Sequence, residues 1–207
     1  MTSAPAPWVA QAWQHWHRPW AVTHTSWLDA SRGGPDAGDA PEMSLRLHYP
    51  AWCAAHALEL TLLDFADTVW WRLLGLPPAS FEQVVARVGL TLKFAADPRG
   101  RLLRRATVDV EAARWALERA HFVPEPVAVT VRDAASAFDA EAYAAMSLCW
   151  CLGAAPSLWA RLRLRFSRKH VPSDEVADGV VDSQVQAHLG RLWRTALRIA
   201  HEDRPAS

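Results

Sequence analysis

The sequence predicts a mainly α fold: a compact multi-helix domain with at most a few short strands. Three observations predict it. Apolar residues recur at three- and four-residue steps along most of the 207-residue chain, the spacing of one helical face. Proline and glycine divide those stretches into segments of helical length. Alternation, the mark of a strand, is confined to short runs. There is no internal repeat and no sustained heptad, so the helices pack as a globular domain.

The first helix covers residues 8–18, with Val9, Trp13 and Trp16 at helical spacing. Pro19 restricts Arg18 to extended backbone, so this helix ends near His17. Residues 29–42, rich in Gly, Pro, Asp and Ala, predict a flexible loop. A long helix is predicted over Ala51 to Leu74 from Leu58, Leu62, Phe65, Val69 and Leu73, stopped by Gly75 and Pro77-Pro78. Ser80 with Gln83 reads as a capping box and Gly89 as the C-cap of a helix burying Phe81, Val84, Val85 and Val88. Leu90, Leu92 and Phe94 alternate, which suggests a short strand or extended segment, and residues 95–106 read as a basic loop or irregular helix.

Thr107 or Asp109 opens a helix to about His121 with Trp115 and Leu117. After Pro124 and Pro126, the alternation of Val127, Val129 and Val131 suggests a short strand. Asp133 to Leu152 reads as an Ala-rich helix with Phe138, Ala142, Ala145, Met146 and Cys149 on one face. Pro156 suits the first turn of the next helix, whose end, Leu162 to Phe166, alternates as an extended run would. The last helix spans about Ser173 to His201, with Val181, Val185, Leu189, Leu192 and Ala196 inward, and residues 202–207 read as a flexible tail. Residues 1–207 form a single domain in this reading.

Lys+Arg and Asp+Glu are both 22, so no net field favours a polyanion, which argues against a general nucleic-acid binder. At 51% hydrophobic and 21% charged, the chain is not a disordered one. Cys53, Cys149 and Cys151 are too few, and odd in number, for a disulfide framework, which points to a reducing cytosol. Cys149 and Cys151 would lie about 200° apart on a helix, a poor chelating pair. Residues 142–160 carry no charge, yet Gly153, Pro156 and many small residues favour a buried helix, a turn and a new helix over a membrane span. The chain holds 12 Trp against 2 Tyr and 6 Phe, a residue over-used in cores and interfaces.

Chemistry-bearing motifs are sparse. There is no phosphate-cradling glycine loop, nucleophile elbow or HExxH pair. His15, His17 and His24 invite a metal reading, but His-x-His diverges on a helix and no Cys or carboxylate neighbours them. Asp64, Asp67 and Glu59 fit a solvated helix face better than an acid–base pair. Arg99, Arg101, Arg104 and Arg105 form one basic cluster, and Arg161, Arg163, Arg165, Arg168 and Lys169 a second. These give the alternative reading, a nucleic-acid-binding or regulatory helical domain.

Three segments carry a more specific pattern. Arg18-Pro19-Trp20 leads into His24-Thr25-Ser26-Trp27-Leu28. Ala86-Arg87-Val88-Gly89-Leu90-Thr91-Leu92 follows an apolar helix. Leu148-Cys149-Trp150-Cys151-Leu152-Gly153 precedes Trp159 and Arg161-Leu162-Arg163-Leu164-Arg165. In order, spacing and overall length they resemble the SctK/YscK/OrgA family of type III secretion systems, over about residues 15–170. The resemblance implies a non-enzymatic cytoplasmic adaptor of the sorting platform, peripheral at the inner-membrane base of the apparatus. Its partners would be the cytoplasmic domain of the SctD-type ring protein and the SctQ-type pod scaffold. It implies no cofactor, metal, nucleic acid or membrane insertion. By motif match, Arg18, Pro19, His24, Ser26 and Trp27 are the candidate partner interface.

Overall fold

A computed structural model describes residues 7–28, 47, 49–60, 68–97, 109–135, 139–173 and 181–202. Among them are nine α-helices and no strand: α1 (Pro7–His17), α2 (Tyr49–Ala55), α3 (Thr68–Leu74), α4 (Pro78–Ala96), α5 (Val110–Ala120), α6 (Glu125–Ala134), α7 (Ala140–Cys151), α8 (Pro156–Leu162) and α9 (Ser183–Glu202). The mainly α class is therefore what the chain forms. The segment 29–42, Asp64, Asp67, the basic run 99–105, Phe138 and the tail 203–207 lie outside the described residues.

The chain divides into two compact units. The first joins Met1–Pro78 to Ala155–Arg168, so it borrows a strip from the far half of the chain. The second comprises Ala79–Ala154 and Lys169–Ser207.

In the first unit, α1 packs on α3. Gly75 permits the approach: a Cβ there would lie 2.6 Å from the Trp8 carbonyl oxygen. After α1, Arg18 leaves the helical region (φ −134°, ψ 60°), as a residue before proline does, and Pro19–Ala21 forms a 3-10 turn. The predicted helix 51–74 is not continuous. α2 stops at Ala55, and Ala57 turns the chain at φ 52°. The Leu58 N–H donates back to the Cys53 carbonyl (2.8 Å), a left-handed helix end made without glycine. Leu58 is buried with Trp20, Trp52, Cys53 and Leu164. Its burial follows from this reversal, not from a long helical stripe.

In the second unit, α4 runs through the expected stop. Gly89 is interior to it, and Leu90, Leu92 and Phe94 are helical, not extended. The apolar residues from Phe81 to Phe94 are continuous enough to bury more than one face, which short-range alternation mimics. Val127, Ala128 and Val131 are the buried face of helix α6. A short Val-x-Val-x-Val run fits a helix when its i and i+4 members face the core. The stretch predicted as one helix from Asp133 is two, with Asp139 capping α7 through the Glu141 N–H. Asp109 caps α5 as expected, accepting from Glu111 and Ala112. α9 begins at Ser183, ten residues later than predicted, where Asp182 accepts from the Gln184 and Val185 N–H groups. α9 and α7 meet through Trp193, whose indole N–H donates to the buried Ser147 Oγ (3.0 Å).

Candidate docking site

The five motif residues lie in the first unit, on the chain that follows α1. Pro19 is buried and its carbonyl accepts from the Thr23 hydroxyl (2.7 Å). His24 begins the 3-10 turn Thr25–Trp27, and its Nδ1 accepts from the Ser26 N–H (3.1 Å). His24 and Trp27 are partly buried, Arg18 is half-buried and Ser26 exposed.

Three long-range hydrogen bonds join this turn to the strip 164–168. The His24 N–H donates to the Leu164 carbonyl (2.7 Å) and the Trp27 indole to the Phe166 carbonyl (2.8 Å). The Arg168 N–H donates to the Ser26 Oγ (2.9 Å). The Arg168 guanidinium also lies 5.4 Å from the Trp27 ring centroid. Replacing Trp27 with alanine is expected to destabilise the first unit by about 2–3 kcal/mol, because packing and one hydrogen bond are lost together. Trp27→Phe should lose about 1 kcal/mol. Urea titrations of both variants check this; equal losses would show that the hydrogen bond, not the packing, carries the effect.

The strip itself corrects two expectations. Arg163–Arg165 is a 3-10 helix continuing α8, not an extended run. Arg161, Arg163 and Arg165 therefore fan out, since residues two apart on either helix type point far from one another. Each ends at the C-terminus of a different helix. Arg161 donates to the Trp16 carbonyl in the last turn of α1 (2.8 Å), to Tyr49 Oη (3.1 Å) and to the Glu59 carbonyl (2.6 Å). Arg163 donates to the His56 carbonyl just past α2 (2.9 Å). Arg165 donates to the Leu73, Leu74 and Leu76 carbonyls at the end of α3 (3.2, 3.3 and 2.9 Å). Helix C-termini carry orphan carbonyls and partial negative charge, so a guanidinium satisfies both at once. Arg161 is 2% exposed and Arg165 8%. They are not the solvated basic face that a nucleic-acid patch needs.

Beside Arg18 lies a cleft of about 350 Å³ lined by Trp13, Gln14, His17, Arg18 and Tyr49. Trp13 is 43% exposed, and its ring lies 4.6 Å from that of His17. Burial, and then the Arg161 charge, hold His17 below its ordinary value near 6.5, so it is a neutral imidazole at pH 7. Arg18 brings positive charge, and among the described residues no acid lines the cleft. The chemistry suits one apolar side chain flanked by a carboxylate. The motif match missed Trp13, Gln14, His17 and Tyr49. Trp13 and His17, four apart on one helix, were the available signal.

Among the described residues, Asp139, Glu141 and His170 have ligand atoms within 4.8 Å of one another. Those atoms already have partners. Asp139 caps α7, and His170 Nδ1 lies 2.9 Å from Glu141 Oε2. The site is also a helix N-terminus, whose partial positive charge favours the carboxylates and opposes a cation. His15, near the expected histidine group, directs Nδ1 at the Leu74 carbonyl (2.7 Å). Burial pushes the Cys151 thiol up to about 12, so it is no thiolate nucleophile. No described helix is long and apolar enough to cross a membrane; residues 142–160 are the body of α7, a turn and the start of α8.

No protein-family model, curated protein or solved structure matches this chain.

Proposed function

We propose that the chain is a non-enzymatic adaptor of a type III secretion sorting platform. In this reading it links the cytoplasmic domain of the SctD-type ring protein to the SctQ-type pod scaffold, on the cytoplasmic side of the inner membrane. The observation that carries the reading is the meeting of two of the three segments on which the resemblance rests. The turn 24–28 and the strip 161–168 are about 140 residues apart in sequence and hydrogen-bonded to one another. Parts of two segments far apart in sequence are then one physical feature of the first unit, while 86–92 and 148–154 belong to the second. That supports the resemblance as one of fold, not of chance spacing.

The same geometry shifts the proposed contact. His24, Ser26 and Trp27 hold the strip in place and Pro19 is buried at the start of the turn, while Arg18 lines the aromatic cleft. Docking is therefore assigned to Trp13, His17, Arg18 and Tyr49, with Pro19, His24, Ser26 and Trp27 as their support. Arg161 and Arg165 are buried, so the second arginine cluster offers a nucleic acid less than its sequence suggests; the first, Arg99 to Arg105, lies outside the described residues.

Co-purification of the chain with the SctQ-type and SctD-type proteins tests the reading. Both should be retained, and Trp13→Ala with Arg18→Ala should lose about tenfold or more in affinity for one of them while keeping its helical circular dichroism. Failure to retain either protein overturns the reading. Retention unaffected by the double variant moves the contact away from this cleft.

A further inference from the structure

α9 carries a surface that neither the motif search nor the resemblance singles out. Arg191, Arg194 and Arg198 are all exposed. At i, i+3 and i+7 they share one helical face. Between Asp182 and Glu202 the helix has no acidic residue. Beside this stripe, still within the second unit, the end of α5 contributes Arg119 and Phe122. With His188, Arg191, Leu192 and Thr195 they line a shallow cleft of about 190 Å³.

Phe122 is 69% exposed, an unusual position for so large an apolar side chain beside a cleft. Arg119 lies 4.5 Å from the Trp115 ring centroid, which holds its guanidinium at the rim. Glu118 pairs with Arg119 (3.4 Å); it is not among the residues that line the cleft. Among the described residues the lining combines arginine and histidine with apolar side chains and holds no carboxylate.

We infer that the Arg119–Phe122 cleft and the exposed Arg191 and Arg194 beside it form a docking surface for an acidic protein segment that inserts one apolar side chain. Charge complementarity identifies the partner. Carboxylates would meet the arginines, and an apolar side chain would cover Phe122 and Leu192 in a space sized for one residue. A nucleic acid is the less suited polyanion. The chain has equal numbers of cationic and anionic residues, so a long phosphate backbone gains little beyond this short stripe. The inference is independent of the sorting-platform reading, since it rests on residues outside the three resembling segments.

The test uses the full-length chain and a fluorescein-labelled heptapeptide, Glu-Asp-Glu-Phe-Leu-Asp-Glu. At low salt, about 25 mM NaCl, the peptide should bind saturably. The bound state should shift backbone amide resonances of residues 119–123 and 188–198. Arg191→Glu with Arg194→Glu should weaken binding about tenfold or more, and Phe122→Ser about threefold or more, both with unchanged circular dichroism. A control peptide with Gly-Ser in place of Phe-Leu should bind about as weakly as wild-type peptide does to Phe122→Ser. Absence of saturation at about 1 mM peptide overturns the inference. So do resonance shifts confined to other residues, or affinities that the variants leave unchanged. An oligouridylate RNA that binds more tightly than the peptide and competes with it would replace the protein partner by a nucleic acid.

Discussion

Arg161→Ala is expected to destabilise the first unit by about 3–5 kcal/mol, the range for removing one partner from a buried, hydrogen-bonded charged group. The loss has identifiable parts. The Trp16 and Glu59 carbonyls and Tyr49 Oη all lose a donor. The guanidinium also stacks on the Trp16 ring at 3.8 Å from its centroid, and Trp16 is fully buried. Alanine leaves a void against that ring as well as orphan acceptors. Arg161→Lys keeps the charge but not the planar fork that reaches acceptors on both sides, so it should recover less than half of the loss. Guanidinium denaturation followed by circular dichroism and tryptophan fluorescence measures both variants. If Arg161→Ala loses less than about 1 kcal/mol, the three hydrogen bonds are not holding α1, Tyr49 and residue 59 together.

Gly89→Ala reverses the usual sign of a helix substitution. Inside an exposed helix, alanine is more stable than glycine by about 1 kcal/mol. Gly89 is interior to α4, and a Cβ there would lie 1.9 Å from the Ala140 carbonyl oxygen and 2.6 Å from its carbonyl carbon. Both are backbone atoms at the start of α7, so no side chain can rotate away. The two helices must separate, and the contacts of Ala86, Ala140 and the Leu90–Phe94–Ala112–Ala116 cluster loosen with them. The expected loss is about 3 kcal/mol or more, with Gly89→Val worse still. Thermal unfolding of both variants is the check; an unchanged or raised midpoint would falsify the close approach.

Gly89 also marks where local reading of the sequence stops. A glycine nine residues after the serine of a Ser–Gln capping pair has the form of a C-cap. What distinguishes an end from a crossing point is the neighbour, here Ala140, which lies 51 positions away. The same limit explains α6: three alternating valines carry no record of the surface that buries them, and the prolines before them start a helix as readily as they break one. Local chemistry was sufficient elsewhere. Pro19 ended α1 at His17, and Asp109 capped α5, because both effects act within a few residues of their cause. Trp70, Trp115 and Trp193, all on helices, are buried.

The candidate site divides in the same way. By itself the sequence determined a mainly α chain, the location of the Arg18–Trp27 turn and the existence of an alternating arginine run. Only the tertiary structure decided what those arginines do. Their partners are backbone carbonyls at the ends of α1, α2 and α3, and a carbonyl is the same group whatever side chain accompanies it. A run of Arg-x-Arg-x-Arg therefore reads identically as a solvated basic face or as three buried helix caps. The choice is made by where the helix ends lie in space. The exposed arginine stripe of α9 is the converse case. There the apolar spacing already turned Leu189, Leu192 and Ala196 inward, and their burial with Trp193 leaves the arginines on the side that meets water.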